Sequence, residues 1–409
     1  MDLRICFVTP EYALYPPFGG IATHIRTMAL WMARNGHDTH VVCLSRDRQP
    51  GTEQDDGVQV HFAAPKRIKP RRVLAIIARL PGLANVREAY SGWDLLENSL
   101  GAWLTVRSLE RKAPFDVIQC GDYGGLAFWG VWPIKKKGRL LLRGQGLIGM
   151  YPSLMDRPGG RFHHLLEWVC AQRADFILAN SHYIKNTYSV KYRVASDRLG
   201  VLYRPYDFPD YTERIPTPTE SPLILYVGRI EVAHKGVDIL LDALHRVHTH
   251  FPNVRASFIG KVVPAMEERF GQFLQENQSW VTYYGPLKQS DVFAHMRCSS
   301  MLVLPSRDEA AGGVLVEAQF CGLPQIATRV GGSPELVQDG VTGLLVDPEN
   351  SDALAEAILH LCTSAELRQQ MGQRSREQAR ARFDIDATMT RYVRVLETLL
   401  HEGDPRTAL

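Results

Sequence analysis

Glu309, Glu317, Arg229 and Lys235 are the residues whose types and spacing point most directly to chemistry. Glu309 and Glu317 lie in the stretch from Leu302 to Pro324, which reads as a strand ending at Pro305, a glycine turn carrying Glu309, and a helix. That helix begins near Gly312 and carries Glu317 about a turn and a half in. Both carboxylates can then face one ligand at the carboxyl edge of a parallel sheet, where open α/β sheets place their sites. Backbone N–H groups at the helix start suit phosphate and sugar oxygens. Arg229 follows another strand and Lys235 opens the next helix, a spacing that lets both reach one phosphate pair. A departing phosphate gathers negative charge, and preorganised cations stabilise it. Near the front, Gly19 and Gly20 precede a helix, either as a further phosphate cradle or as a plain tight turn.

Three patterns imitate chemistry and are set aside. Gly144-Gln145-Gly146-Leu147-Ile148-Gly149 matches the dinucleotide fingerprint after a strand, but Pro152, Pro158, Gly159 and Gly160 leave no helix to face a pyrophosphate. An irregular active-site loop fits that segment better. Glu268 and Glu276 repeat the separation of Glu309 and Glu317 inside a polar helical stretch with no strand before it, which reads as a solvated face. Asp384-Ile385-Asp386 resembles a metal-binding Asp-x-Asp, yet it introduces a helix, where Asp serves as a cap. His24, His37, His40, His163 and His164 lack ligand spacing and read as satisfied structural histidines.

The elements that must position these residues alternate along the chain. Strands are expected at Leu3–Val8, Thr39–Leu44, Val58–Ala63, Asp116–Cys120, Arg139–Leu142, Asp175–Ala179 and Gly200–Tyr203. Ile21, Ile25, Met28, Ala29 and Met32 recur at helical spacing between the first two. A proline-rich stretch from Phe208 to Pro222 reads as a linker. Beyond it the alternation restarts with Leu223–Val227, a helix over Gly236–His250, and strands at Arg255–Ile259, Val281–Tyr284, Met301–Leu304, Gln325–Thr328 and Gly343–Val346. The expected domains are 1–207, 208–222 as linker, 223–385, and a C-terminal helix over 386–409. Arg391, Val395 and Leu399 in that helix pack back on the first domain in this reading.

With 409 residues, 45% hydrophobic and 22% charged, the chain can bury a large core. Its 47 Lys and Arg against 44 Asp and Glu do not announce a nucleic-acid binder. Seven cysteines without a Cys-x-x-Cys pair fit neither a disulfide framework nor a zinc site, and the expected compartment is the cytoplasm. No apolar run suits a signal peptide or a membrane span.

Glu309 to Ala318, Cys321-Gly322-Leu323-Pro324 and the stretch Gly331 to Val346 together resemble the signature of retaining glycosyltransferases of family 4 (glycosyl transferases group 1). The resemblance extends to Tyr226-Val227-Gly228-Arg229-Ile230 with Lys235-Gly236, and to Gly19-Gly20, so it covers nearly the whole chain. It implies the GT-B fold: an α/β chain of two Rossmann-like doubly wound domains facing each other across a cleft. It also implies a nucleoside-diphosphate sugar donor, a glycan, lipid-linked or small-molecule acceptor, retention at the anomeric carbon, and neither cofactor nor obligatory metal. Carried over by position, the catalytic set is Glu309, Arg229, Lys235 and Gln145. The donor-binding set is Gly19, Gly20, Arg229, Lys235, Gly260, Leu287, Glu309, Gly312, Gly313, Val314 and Glu317. Glu317 would hold the ribose hydroxyls, Glu309 the transferred sugar, and Arg229 with Lys235 the diphosphate. A nucleotide-sugar epimerase, a sugar phosphorylase or a non-catalytic sugar-nucleotide-binding protein on the same fold are the alternatives.

Two departures from the family pattern stand out. Glu309-Ala310-Ala311-Gly312 lacks the usual aromatic beside the sugar pocket. Gln145 falls where the family places a sugar-contacting histidine, unless the register puts Arg143 there, and glutamine cannot titrate. Finally, residues 66–80 combine six cations with an apolar helical face of Val73, Ile76, Ile77 and Leu80. They read either as a domain-packing helix or as a peripheral contact with anionic lipid on the inner membrane face.

Overall fold

A computed structural model describes residues 2–14, 20–44, 49–67, 84–131, 137–150, 160–207 and 220–409, with backbone alone for 84–92, 94 and 95. Aliphatic runs bounded by glycine turns form parallel strands, because strands covered by helices on both faces need apolar side chains on both. Arg4–Thr9 (β1) shows this, with every residue after Arg4 buried. The first sheet continues through Asp38–Leu44 (β2), Gly51–Asp55 (β3), Val58–Ala63 (β4), Val117–Gly121 (β5), Arg139–Gly144 (β6), Phe176–Ala179 (β7) and Leu199–Val201 (β8). Its order is β3-β4-β2-β1-β5-β6-β7-β8. Phe7 sits in register with Val41 on one side and Gln119 on the other. Only β3 runs antiparallel, on the edge beside β4. The sequence reading did not foresee it, since Gly51-Thr52-Glu53-Gln54-Asp55 offers no apolar alternation; its ladder on β4 is joined by a 2.9 Å contact between the Thr52 hydroxyl and His61 Nδ1.

Gly20–Arg34 (α1) follows β1 and buries Ile25, Met28, Ala29 and Met32 as the helical spacing required. The helices that flank this sheet include Ala84–Lys112 (α2), Gly160–Arg173 (α3) and His182–Val190 (α4). The last helix, Ile385–Leu400, also belongs here: the chain divides into two compact units, 1–207 with 385–409, and 208–384. Met389, Tyr392, Val395, Leu396 and Leu399 enter the core formed by Leu3, Phe7, Met28, Val117 and Leu141. Arg391 lies off that buried face. The Tyr392 hydroxyl donates to Gln119 Oε1 at 2.8 Å, and the Trp31 indole donates to Asp386 at 2.7 Å. Asp386 thus has a packing use within the first turn of its helix.

The second unit holds Leu223–Val227 (β9), Arg255–Ile259 (β10), Val281–Tyr283 (β11), Met301–Leu304 (β12), Gln325–Thr328 (β13) and Gly343–Val346 (β14). Its all-parallel order, β11-β10-β9-β12-β13-β14, reverses direction between β9 and β12. In such a sheet the crevice outside the carboxyl ends at the reversal is where ligands bind. Val237–His250 (α5) follows β9, Gln289–Cys298 (α6) follows β11, and Gly313–Phe320 (α7) follows β12. Leu240, Leu244 and Val247 on α5 pack with Leu354, Ile358 and Leu361 of the helix Ser351–Thr363. The polar helix Glu267–Glu276 buries Phe270 and Phe273 and leaves Glu268 and Glu276 exposed. Among the described residues, no helix is long and apolar enough to cross a membrane.

Candidate functional site

The reversal between β9 and β12 gathers most of the expected site residues of the second unit. Lys235 lies just before α5, and its ammonium donates to Glu309 Oε2 at 2.6 Å. The Glu309 side chain is 12% exposed and Lys235 21%, so this ion pair is largely withdrawn from water. Gly312 N–H donates to Glu309 Oε1 at 3.1 Å, and the Ser306 hydroxyl reaches Oε2 at 3.4 Å. Gly312 is the left-handed N-cap of α7. The helix therefore begins one residue after the expected glycine, with Glu309 held against its first turn.

Helix α7 is buried at Leu315, Val316, Ala318, Gln319 and Phe320. Gly313, Val314 and Glu317 form its partly exposed stripe, at the i, i+1 and i+4 positions that share a helix face. Glu317 Oε1 accepts from the Gln289 amide at 3.3 Å. Leu287 is half-buried just before α6, which Gln289 opens. Arg229 projects beyond β9, with 60% of its side chain exposed and Nη2 2.9 Å from Glu231, a charge contact without hydrogen-bond alignment. Its carbonyl accepts the buried Tyr226 hydroxyl at 2.7 Å.

Close backbone approach explains two glycines. Gly260 has φ +140° after β10, and a Cβ there would sit 1.9 Å from the Gly228 carbonyl oxygen. Gly331 has φ +54°, and a Cβ there would sit 2.0 Å from the Glu309 carbonyl oxygen. The turn carrying Glu309 is thus braced from behind, and Gly332 N–H bonds to the Glu309 carbonyl at 2.8 Å.

Sequence reasoning passed over Arg307. Its guanidinium binds both oxygens of Asp238, at 2.7 and 2.9 Å, and both of Glu349, at 2.8 and 2.6 Å. It also donates to the Val232 carbonyl at 2.6 Å, while its N–H donates to the His234 carbonyl at 2.8 Å. These bonds tie the Glu309 turn to the segment carrying Lys235. An arginine between serine and aspartate looks like any surface cation, so no sequence signal marked it. Asp308 was also missed. Burial, and then the neighbouring Glu309 charge, push its carboxyl up to about 6.

In the first unit, Gly19 lies outside the described residues and Gly20 opens α1. Gln145 and Arg143 have separate surroundings. Arg143 is fully buried and donates to the carbonyls of Leu178, Leu202 and Tyr203 at 3.3, 2.6 and 3.2 Å; burial pulls its guanidinium down to about 9. Gln145 follows β6, is 7% exposed, and its amide nitrogen has no hydrogen-bond partner. Arg143 is therefore committed to the fold, whereas Gln145 keeps a free donor.

The fingerprint-like run from Gly144 to Gly149 ends in a single 3₁₀ turn at Ile148–Met150. Its backbone donors are already taken. Asp122 Oδ2 accepts from the N–H groups of Gln145 and Gly146 at 3.0 and 3.4 Å and from the Tyr188 hydroxyl at 3.0 Å. Glu167 accepts from the N–H groups of Gly124, Ile148 and Gly149 at 2.8, 2.8 and 3.2 Å, and from the Tyr192 hydroxyl at 2.9 Å. Burial pushes Asp122 up to about 6 and Glu167 to about 7, against the hydrogen bonds that favour their charged forms.

The histidines divide. His37 Nδ1 accepts the Leu3 N–H at 3.1 Å, His40 shares a 3.0 Å contact with His61, and His164 meets the Tyr192 hydroxyl at 2.9 Å. His24 corrects the expectation of satisfied structural histidines: it is 5% exposed and neither ring nitrogen has a partner. Of the cationic segment 66–80, only Lys66 and Arg67 fall within the described residues.

Residues 221–364 match the family described as glycosyl transferases group 1, and residues 18–208 match glycosyltransferase family 4. An uncharacterised glycosyltransferase of Methanocaldococcus jannaschii is 35% identical over 204 residues, 50% of this chain and 54% of that protein. The chain thus spans about half the length of the first curated relatives it matches. A D-inositol 3-phosphate glycosyltransferase of Paenarthrobacter aurescens is 24% identical over 377 residues, 87% of each chain. Sucrose-phosphate synthase from Thermosynechococcus elongatus has the same fold, with a TM-score of 0.77 at 18% identity over 98% of this chain and 99% of that one. With the family's segments matched on both units and a GT-B enzyme superposing along the whole chain, the protein belongs to the group 1, family 4 glycosyltransferases.

Proposed function

We propose that the chain is a retaining transferase that moves a sugar from a nucleoside-diphosphate sugar to a glycan, lipid-linked or small-molecule acceptor. The observation that carries this reading is the Lys235–Glu309 pair at the sheet reversal, braced by Gly312 N–H and by Gly331. Arg229 and Lys235 meet the diphosphate, Glu309 the transferred sugar, and Glu317 the ribose, with Gln289 orienting its carboxylate. The bond from the anomeric carbon to the phosphate oxygen breaks, and its electron pair stays on the diphosphate. The acceptor oxygen bonds to the same face of that carbon, and its proton passes to a diphosphate oxygen. Charge developing on the leaving group is stabilised by cations already in place.

In this reading the two cations suffice without an obligatory metal, and turnover unaffected by a chelator is the expected result. A peripheral contact of residues 66–80 with anionic lipid belongs to the same proposal. Salt-sensitive co-sedimentation with phosphatidylglycerol vesicles supports that contact, and equal absence from the pellet at low and high salt rejects it.

A thermal-shift panel of nucleoside diphosphates tests the donor assignment. A ligand at a hundred times its dissociation constant adds about 2.7 kcal/mol to stability. Nucleotide release that depends on an acceptor supports the transferase. Sugar conversion without acceptor indicates an epimerase, and tight binding without turnover a scaffold.

A further inference from the structure

The carboxyl edge of the first unit's sheet holds polar side chains that nothing in that unit satisfies. His24, in the second turn of α1, is 95% withdrawn from solvent, and both its ring nitrogens are unpartnered. Asn180, the residue after β7, is 1% exposed, and neither its amide nitrogen nor its amide oxygen has a partner. Its backbone N–H bonds to the Gly144 carbonyl at 2.9 Å, which sets it beside Gln145 and that residue's own unpartnered amide nitrogen. Arg204 follows β8. A Cβ on Gly20 would lie 3.7 Å from Arg204 Nη1, so the guanidinium stands against the first residue of α1. Arg204 Nε is buried without a partner, and no ion pair joins Arg204 to a carboxylate among the described residues.

This arrangement opposes stability on its own terms. A helix N-terminus carries about half a positive charge, and a guanidinium beside it adds like charge. Buried donors without acceptors forfeit the hydrogen bonds they had in water. Burial, and then the charges of Arg204 and Arg143, hold His24 well below the usual imidazole range, so it stands neutral with one N–H to give. Arg143 itself is occupied by carbonyls. What remains is a positive field and a set of donors from three different chain segments, and the complement of that set is a group with several anionic oxygens.

We propose that Arg204, His24 and Asn180, with the first turn of α1, form an oxyanion subsite of the first unit that binds a phosphoryl group. The guanidinium supplies paired N–H donors to two oxygens, as arginine does for phosphate. The His24 N–H and the Asn180 amide reach the others. The subsite adds Arg204, His24 and Asn180 to the glycine turn at Gly20 already given to the donor, and it shares no residue with Arg229 and Lys235. Which phosphoryl group it takes, the donor's diphosphate or a phosphate carried by the acceptor, rests on the transferase reading; the subsite does not.

Calorimetric titration of the full chain with inorganic phosphate tests it. Arg204→Gln is expected to weaken phosphate binding about tenfold or more, the scale of a lost charge-assisted bond. Arg173→Gln, an exposed cation at the end of α3, leaves it unchanged. Asn180→Ala should weaken phosphate binding while keeping or raising the melting temperature, because it removes an unpartnered buried amide. A merely structural asparagine would lower it.

Uridine diphosphate then separates the sources. An equal loss of its affinity in Arg204→Gln assigns the donor's diphosphate. Unchanged affinity, with phosphate still binding to the nucleotide-saturated wild type, assigns a phosphorylated acceptor. A chain that binds phosphate through Arg204 but no nucleoside diphosphate keeps the subsite and loses the transferase reading. Absence of phosphate binding in the wild type, or wild-type binding in both variants, overturns the subsite.

Discussion

At the carboxyl edge of the second unit's sheet each cation around the Glu309 turn has an anion beside it: Lys235 with Glu309, Arg229 with Glu231, Arg307 with Asp238 and Glu349. At the same edge of the first unit the pairing is different. Asp122 and Glu167 are taken up by backbone N–H groups and tyrosine hydroxyls, Arg143 by carbonyls, and Arg204, His24 and Asn180 keep unpartnered polar atoms. A phosphate arriving at Lys235 must therefore exchange with Glu309, so part of its attraction replaces one already present. An anion arriving at Arg204 adds contacts where there were none. Charge pairing of the first kind preorganises a site without leaving bare charge, whereas the second holds unmet hydrogen-bonding capacity in reserve.

The comparison breaks most visibly at Glu167. Its four donors lose their acceptor in Glu167→Leu, and removing one partner from a buried charged network costs about 3–5 kcal/mol. Urea denaturation of the variant checks this, and a loss below about 1 kcal/mol would show that the donors find other partners. Next in size is Arg229→Ala, expected to lower turnover about a hundredfold to a thousandfold, the effect of losing one donor to developing charge. Wild-type turnover there ends its assignment to the diphosphate.

Glu317→Ala sharpens the contrast between holding and reacting. It should weaken donor binding about tenfold with kcat preserved, because ribose contacts are equal in the ground and transition states. A large fall in kcat at unchanged donor affinity contradicts that role.

Stability against pH reads the first unit's buried carboxylates directly. Burial raises Glu167 from 4.5 to about 7 and Asp122 from 3.8 to about 6. The folded chain thus retains protons that the unfolded chain releases across this window. Their contribution is fully present below the unfolded values and is lost as pH rises through about 6 to 7. Melting temperatures across that range should fall with rising pH from this source, and Glu167→Gln should flatten the slope. An identical slope in the variant removes Glu167 as its origin. The smallest effect belongs to Gln145→Ala, a rate loss of about a few-fold, with no ionisation near neutral pH traceable to the position.

Much of the scaffold was legible because it rests on local pattern. The strand at Arg255–Ile259, the helical spacing of Ile25, Met28 and Met32, and the strand, glycine turn and helix around Glu309 follow from apolar periodicity and glycine placement. Strand β3 escaped because its side chains carry no apolar alternation, and its partner for the Thr52 hydroxyl, His61, is set by the register with β4. In the last helix, Val395 and Leu399 pointed to the buried face but Arg391 did not, since Tyr392 is chosen by Gln119 across 273 positions of chain. Arg204 had a signal that went unread: it follows a strand end as Arg229 does.

By itself, the sequence determined the alternation of elements, the family, and the residue types able to bind phosphate and hydroxyl groups, all properties of nearest neighbours and short spacings. Tertiary structure alone decided which of those groups are committed and which remain available. The Gly144–Gly149 run lost its donors to Asp122 and Glu167, Arg143 lost its guanidinium to three carbonyls, and the His24 ring, the Asn180 amide and Arg204 Nε were left without partners. The physical reason is that a hydrogen bond or ion pair is satisfied only by an atom within about 3 Å, and in a parallel sheet with crossover helices that atom belongs to a residue distant in the chain.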